Sequence, residues 1–414
     1  MRLPRSVVAD AKPAPGRRQS TPWILPLFAQ WPIRALVVAA LLVGVAGLML
    51  SLRGTAGDEL ATSSQLQSLL QQGGPLVVYS EFGPEADTLW AANADDPADR
   101  VQLGRVDHAE GFGIFPSLSP NGARIAYTVL PSVPGPRGTA ELWVVEIAGG
   151  APRRLADGID LRVTPVWSPA SDAVVVRRSD GQEGSAGSSK LLRIDLNGTA
   201  TTIAAAEAGL FPIDFSPDGA WLYYAILSPS GTDLARAPAQ SSGKVEVVAH
   251  LSDGVARDWH LSPDGTQLAY LGQVPLEGGF TFVAQVLDLS LGTVYTPLSR
   301  GSAQFNPIWE REGGLTIGRF DGDAGGAPVR LSVDGNVLAR VPLPPPGSAS
   351  RRAGFDVPLS WSPDGAYLAV RSFERSSVAN PGPSHVVVTG ADGQRRELSP
   401  VSDVVVAGWL EPSP

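Results

Sequence analysis

An all-β ring of seven four-stranded blades, a β-propeller preceded by one transmembrane helix, is the architecture this 414-residue sequence predicts. Three observations predict it. A short apolar run, a Ser-Pro-Asp-Gly turn or a variant of it, and a second apolar run recur at near-constant spacing. Two further strand-like runs fill each interval. The last segment then supplies the one strand that the first repeat lacks.

The elements follow in chain order. Residues 1–34 carry six basic side chains (Arg2, Arg5, Lys12, Arg17, Arg18, Arg34) against Asp10, with several prolines, and read as a disordered basic tail. Residues 35–52, ALVVAALLVGVAGLMLSL, contain no charge. Eighteen residues in a helix rise roughly 27 Å, close to the hydrocarbon thickness of a bilayer. Trp23 and Trp31 precede the run, where amphipathic rings favour the interface, and Asp58 and Glu59 follow it. The positive-inside rule therefore predicts a cytoplasmic N-terminus and an extracytoplasmic remainder. A cleaved signal peptide would want a shorter basic region and a small-residue site after the apolar run; SLRGTAGDELA offers none, which favours an uncleaved cell-membrane anchor. Residues 53–74 form the linker, with a short stalk helix expected in 58–72 ahead of Gly73-Gly74, or a flexible segment in its place.

The propeller is expected over residues 75–414. Its hairpins are FPSLSPNGARIAYT from Phe115, TPVWSPASDAVVVR from Thr164, FPIDFSPDGAWLYY from Phe211 and DWHLSPDGTQLAYL from Asp258. A degenerate copy, FNPIWEREGGLTIG, starts at Phe305, and VPLSWSPDGAYLAV starts at Val357. Ser119, Ser168, Ser216, Ser262, Glu310 and Ser362 mark the same place in successive copies, at steps of 49, 48, 46, 48 and 52. The apolar runs are too short for helices and rich in β-branched and aromatic residues. Pro pre-sets φ, and Asn, Asp and Gly tolerate the positive φ of a tight turn. Stretches such as ELWVVEIAGGAPRRLADG from Glu141 add two more strands, and four strands per copy of about 48 residues is the unit of a propeller blade. The C-terminal VVVAGWLEPSP reads as a first strand without a hairpin partner, while PLVVYSEFGPEADTLWAANADDPADRVQLG from Pro75 reads as second, third and fourth strands without a first. Joining them closes the ring and removes both exposed edges. Six blades is the alternative if the copy at 305–318 or the last segment is absorbed otherwise.

The Ser-Pro-Asp-Gly hairpin, recurring at this spacing over residues 75–414, resembles the WD40-like or PD40 repeat of TolB-type propellers. The resemblance implies an extracytoplasmic propeller and, for TolB itself, protein partners in the cell envelope. The sequence departs from TolB in its expected anchor, its seven repeats, and the absence of room for a separate N-terminal α/β domain.

Composition narrows the function. With no Cys, thiolate catalysis, disulfides and cysteine metal sites are excluded. Net charge is −9; the tail holds +5, leaving −14 on the remainder, which repels phosphate backbones and argues against nucleic acid. Asp218, Asp264 and Asp364 recur in the turns, but equivalent turns of successive blades lie far apart and cannot converge on one ion. The four His (His108, His250, His260, His385) have no metal-site spacing, and no Gly-x-Ser-x-Gly elbow or phosphate loop is present; GSAGSS at 184–189 reads as a loop. No cofactor is implied. Polar residues just before or within the first strands, at the channel mouth, are the candidates for binding a ligand or partner: Asp107, His108, Arg162, Arg257, Asp258, His260, Arg352 and Asp356. Asp214 occupies in its blade the position His260 holds in the next. The expected role is a protein-interaction or ligand-binding module facing another envelope protein or an extracytoplasmic ligand. Two alternatives are a sensor relaying to a cytoplasmic partner and a polysaccharide lyase-like enzyme.

Overall fold

The computed structural model describes residues 63–411 apart from 134–138, 180–187, 300, 321–325, 333–336, 341–353, 376 and 391–392. The basic tail and the apolar segment 35–52 lie outside the described residues. Among the described residues no helix is long and apolar enough to cross a membrane.

Seven antiparallel four-stranded sheets form the blades, as expected, and six of them are continuous in sequence. In the remaining one, the C-terminal strand Val404–Leu410 pairs with Leu76–Glu81, which continues into Ala86–Asn93 and Arg100–Asp107. We number this mixed blade 1 and the others 2 to 7 along the chain. The inner strands of blades 2 to 7 are Phe115–Leu118, Val166–Trp167, Gly209–Phe215, Ala256–Leu261, Ala303–Trp309 and Asp356–Trp361. The degenerate copy therefore forms a full blade, and the count is seven.

The second strands have neighbours on both faces, so they read as apolar runs rather than alternating ones. In blade 3, Ala173, Val174, Val175 and Val176 are all buried. The core lies between blades: Val174, Val176, Leu192 and Ile194 of blade 3 pack on Ala126, Leu142 and Val144 of blade 2. Between blades 6 and 7 an aromatic group takes this place. Phe355 stacks on Phe305 at 4.8 Å and Phe373 at 4.9 Å between centroids, with Phe320 tilted at 5.4 Å.

The expected stalk helix is present as Ser63–Gln71, ending at Gly73 and Gly74, both at φ 83°. It does not stand free. Leu66 and Leu69 are buried against Leu103, Ile125 and Ile147 in the cluster that joins blades 1 and 2.

Each Ser-Pro-Asp-Gly turn carries the same hydrogen-bond set. In blade 5, Ser262 Oγ donates to Asp264 Oδ1 at 2.6 Å and accepts the Gln267 N–H at 2.9 Å, while Asp264 accepts the Thr266 N–H at 3.0 Å. Blades 4 and 7 repeat it at Ser216–Asp218 and Ser362–Asp364. The hydroxyl of Ser216 holds the Asp218 carboxyl below the usual range, and that of Ser262 does the same for Asp264. These aspartates are turn staples. In blade 6 Glu310 takes over, binding Arg330 at 2.5 Å and Thr316 at 3.0 Å. Replacing Ser262 with Ala removes two bonds from a buried turn and is expected to cost about 1–2 kcal/mol, read from the urea midpoint.

The outer edge of blade 4 holds a histidine between two carboxylates. His250 Nδ1 lies 2.7 Å from Asp233 and Nε2 lies 3.1 Å from Asp253, and these bonds, Asp233 first, raise its pKa. A raised value means stability that is complete below the unfolded pKa of about 6.5 and fades as pH climbs through the folded one. Asp233→Asn is therefore expected to lower the melting temperature at about pH 5.5, with the gap to wild type narrowing by about pH 9.

Candidate functional site

The inner strands surround a channel, and four consecutive ones are irregular at the same level. Pairing with the second strand shifts register between Pro212 and Asp214 in blade 4, Arg257 and His260 in blade 5, Phe305 and Ile308 in blade 6, and Pro358 and Ser360 in blade 7. Asp258 and Asn306 take positive φ, 54° and 30°. A bulge of this kind inserts one residue and re-aims its side chain, which fits their recurrence where the strands face the channel. The closing strand of blade 1 bulges too, at Gly408 (φ 153°), where a Cβ would press to 2.9 Å of Leu118.

Just past the bulges, toward the turn face, lies a cavity of about 470 Å³. Trp167, Phe215, Leu261, Trp309 and Trp361 line it, with Pro120, Pro169, Pro217 and Pro263 of the turns. Asp214 and His260 supply its polar groups, joined by Ser262 and Ser360. The indoles are fixed by bonds to the preceding blade. Trp167 Nε1 donates to Ser117 O at 3.1 Å, Trp309 Nε1 to His260 O at 2.8 Å, and Trp361 Nε1 to Thr316 Oγ1 at 3.0 Å. Trp409 closes the set on Ser360 Oγ at 2.9 Å.

Polar groups link three blades across the channel wall. Asn306 Nδ2 donates to Pro358 O at 2.6 Å, which turns its amide oxygen to His260 Nε2 at 3.1 Å and makes that nitrogen the donor. Burial holds the His260 pKa below its ordinary value, with Asn306 and Asp258 acting against the shift. Burial raises Asp258, offset by Arg257, His260 and the Asn306 N–H. Asp214 is pushed up to about 6, mainly by desolvation, although its Oδ1 accepts the Phe215 N–H at 2.7 Å. Its side chain is exposed, so protein surrounds the carboxyl without sealing it.

The residues expected at the channel mouth scatter. Arg257, Asp258 and His260 share the inner strand of blade 5, where Arg257 lies over Phe282 at 4.3 Å and 3.9 Å from Asp258. Arg162 is exposed on the loop before the inner strand of blade 3. Asp107 ends the outermost strand of blade 1 and pairs with Arg105 at 3.3 Å, so it belongs to the outer rim. His108 is 1 % exposed, bonded through Nε2 to Asp87 at 2.9 Å and through Nδ1 to Ala109 O at 2.9 Å, which makes it a packing element and not a mouth residue. Asp356, 2 % exposed, is held bidentately by Arg395 at 2.6 and 2.9 Å and is likewise removed from the channel. Arg352 lies outside the described residues. Asn306 and the tryptophan set were not among the expected residues. The tryptophans left a signal: Trp167, Trp309 and Trp361 each stand immediately before the Ser or Glu that marks the repeat. Among the described residues no group of His, Asp and Glu could hold a metal ion.

The fold and site define a closed seven-bladed propeller with an aromatic-walled polar cavity at one end of its channel. Solved structures share the fold. The propeller domain of the Trilobed protease from Pyrococcus furiosus superposes with a TM-score of 0.53 at 13% identity, covering 80% of this chain and 96% of that one. It is described as having an open velcro topology, whereas here Val404–Leu410 closes the ring. Prolyl oligopeptidase B from Galerina marginata gives 0.54 at 13% identity over 83% of this chain and 53% of that one. TolB from Acinetobacter baumannii is a looser likeness, 0.45 at 14% identity over 80% and 65%. This chain thus spans about half the length of the oligopeptidase and 65% of TolB. At these identities the likeness is one of fold. No family model matches the sequence, and no curated protein matches it.

Proposed function

We propose that this propeller is a binding module, held at the outer face of a membrane by the apolar segment 35–52, and that its partner docks on the turn face. The observation that carries the reading is the cavity of about 470 Å³ that opens there. Its volume lies within the range of ligand sites, and its rigid aromatic walls surround only a few polar groups. The aromatic and carboxylate lining suits a docking side chain better than a solvated rim does. The uncharged run Ala35–Leu52 and the basic residues before it support the anchor.

Crosslinking in intact cells, with a photoreactive residue at Pro217 or Pro263, tests the reading. Capture of the full-length protein is expected to bring down one envelope protein reproducibly, crosslinked to the turn face. Recovery of no partner from either position would overturn the module in this form. Extraction of the membrane fraction at high pH tests the anchor: the chain is expected to stay with the lipid.

A further inference from the structure

We infer that the turn-face cavity is a site for an organic monocation, an ammonium or guanidinium group presented by a docking partner. The inference rests on the binding-module reading and names the chemistry of that same site.

Charge is the first argument. The cavity is lined by residues of blades 2 to 7, and the ionisable ones are Asp214 and His260 alone. His260 gives its Nε2 to Asn306, and burial disfavours its charged form. Asp214 has one backbone N–H, and among the described residues no Arg, Lys or His forms an ion pair with it. An exposed carboxylate on the channel wall without a counter-charge is the complement of a cation. Asp258, on the next inner strand, is already offset by Arg257.

The walls are the second argument. Trp167 and Trp309 have their indole N–H groups committed to the neighbouring blades, so these rings are fixed before a ligand arrives, whereas one face of Trp361 already carries the Arg330 guanidinium at 4.5 Å. Fixed aromatic rings beside a carboxylate are the elements with which proteins hold ammonium and guanidinium groups. The long-range field acts in the same sense, since the chain beyond its basic tail carries −14.

Asp214 also sets a pH dependence. Its raised pKa means that the carboxyl must ionise to hold a cation, so affinity falls as pH drops through about 6. Protonation of His260 adds repulsion in the same direction.

The test uses the full-length protein in detergent and three probes of one shape: the N-acetyl, N′-methylamide forms of lysine, arginine and norleucine. Calorimetry is expected to show saturable binding of the lysine and arginine probes, at least about ten-fold tighter than norleucine. It should weaken from about pH 7.5 to about pH 5 and fall about ten-fold or more in Asp214→Asn. Equal binding of norleucine, no saturation by any probe, or binding of cellobiose in preference to lysine overturns the inference. The comparison of probes on the wild-type chain decides the matter even if the variant fails to fold. A crosslinked partner still captured at full yield by Asp214→Asn would overturn the cation site and leave the module standing. Loss of every partner from the wild type would instead remove the module.

Discussion

A chain lacking residues 404–414 is expected to lose cooperative unfolding, or to unfold with about 5 kcal/mol less stability. The strand removed buries Val404 and Leu410, worth about 2 kcal/mol each. The Trp409 bond to Ser360 adds about 1 kcal/mol. Its loss also uncovers Leu76, Val77 and Val78, which are fully buried, and strips one edge of Leu76–Glu81 of its ladder. Domains of this kind have about 5–15 kcal/mol in total, so the deletion takes a large part of the margin. Urea unfolding followed by circular dichroism and tryptophan fluorescence reads the result. A midpoint unchanged from the intact chain would mean that blade 1 stands on three strands.

Phe355→Ala carries the second large effect, an expected loss of about 3–5 kcal/mol. Phe355 is 2 % exposed and touches three other rings, from both blades 6 and 7. Truncation leaves a void between two sheets that cannot collapse without shifting a blade. Phe355→Leu refills most of the volume but forfeits the stacking, and is expected to recover more than half of the loss. Thermal melts of the two variants side by side check both the size and the order. Equal losses would show that ring stacking, not volume, governs this interface.

Much of the architecture could be read from residues alone, because a turn motif with a fixed step is a long-range signal. Ser262, Pro263, Asp264 and Gly265 announce a hairpin locally, and their recurrence announces the ring. The unpaired last strand was legible for the same reason. The site was legible only in part. Asp214 and His260 could be placed on inner strands by counting from the turn. The bulges at Asp258 and Asn306 could not, because one inserted residue leaves the apolar pattern of so short a strand unchanged. His108 and Asp356 look like loop and strand-end residues in sequence. What buries them is a partner elsewhere in the chain, Asp87 for one and Arg395 for the other, and neither spacing follows a repeat. The Phe355 cluster is not legible in the repeat because its rings come from two blades and only Phe305 stands at a repeated position.

The joining of first and last strands within one blade also has a consequence for synthesis. Six blades can form in order as the chain lengthens, since each is continuous in sequence. Blade 1 cannot, because its inner strand follows the other six blades in the chain. Until then Leu76–Glu81 waits as an apolar edge with open hydrogen-bonding groups, the kind of surface that invites strand addition from a neighbouring chain. Closure is thus the pairing of longest range in the fold, the kind whose loop entropy slows folding. A ring without Val404–Leu410 therefore differs from a closed one by a single adhesive edge.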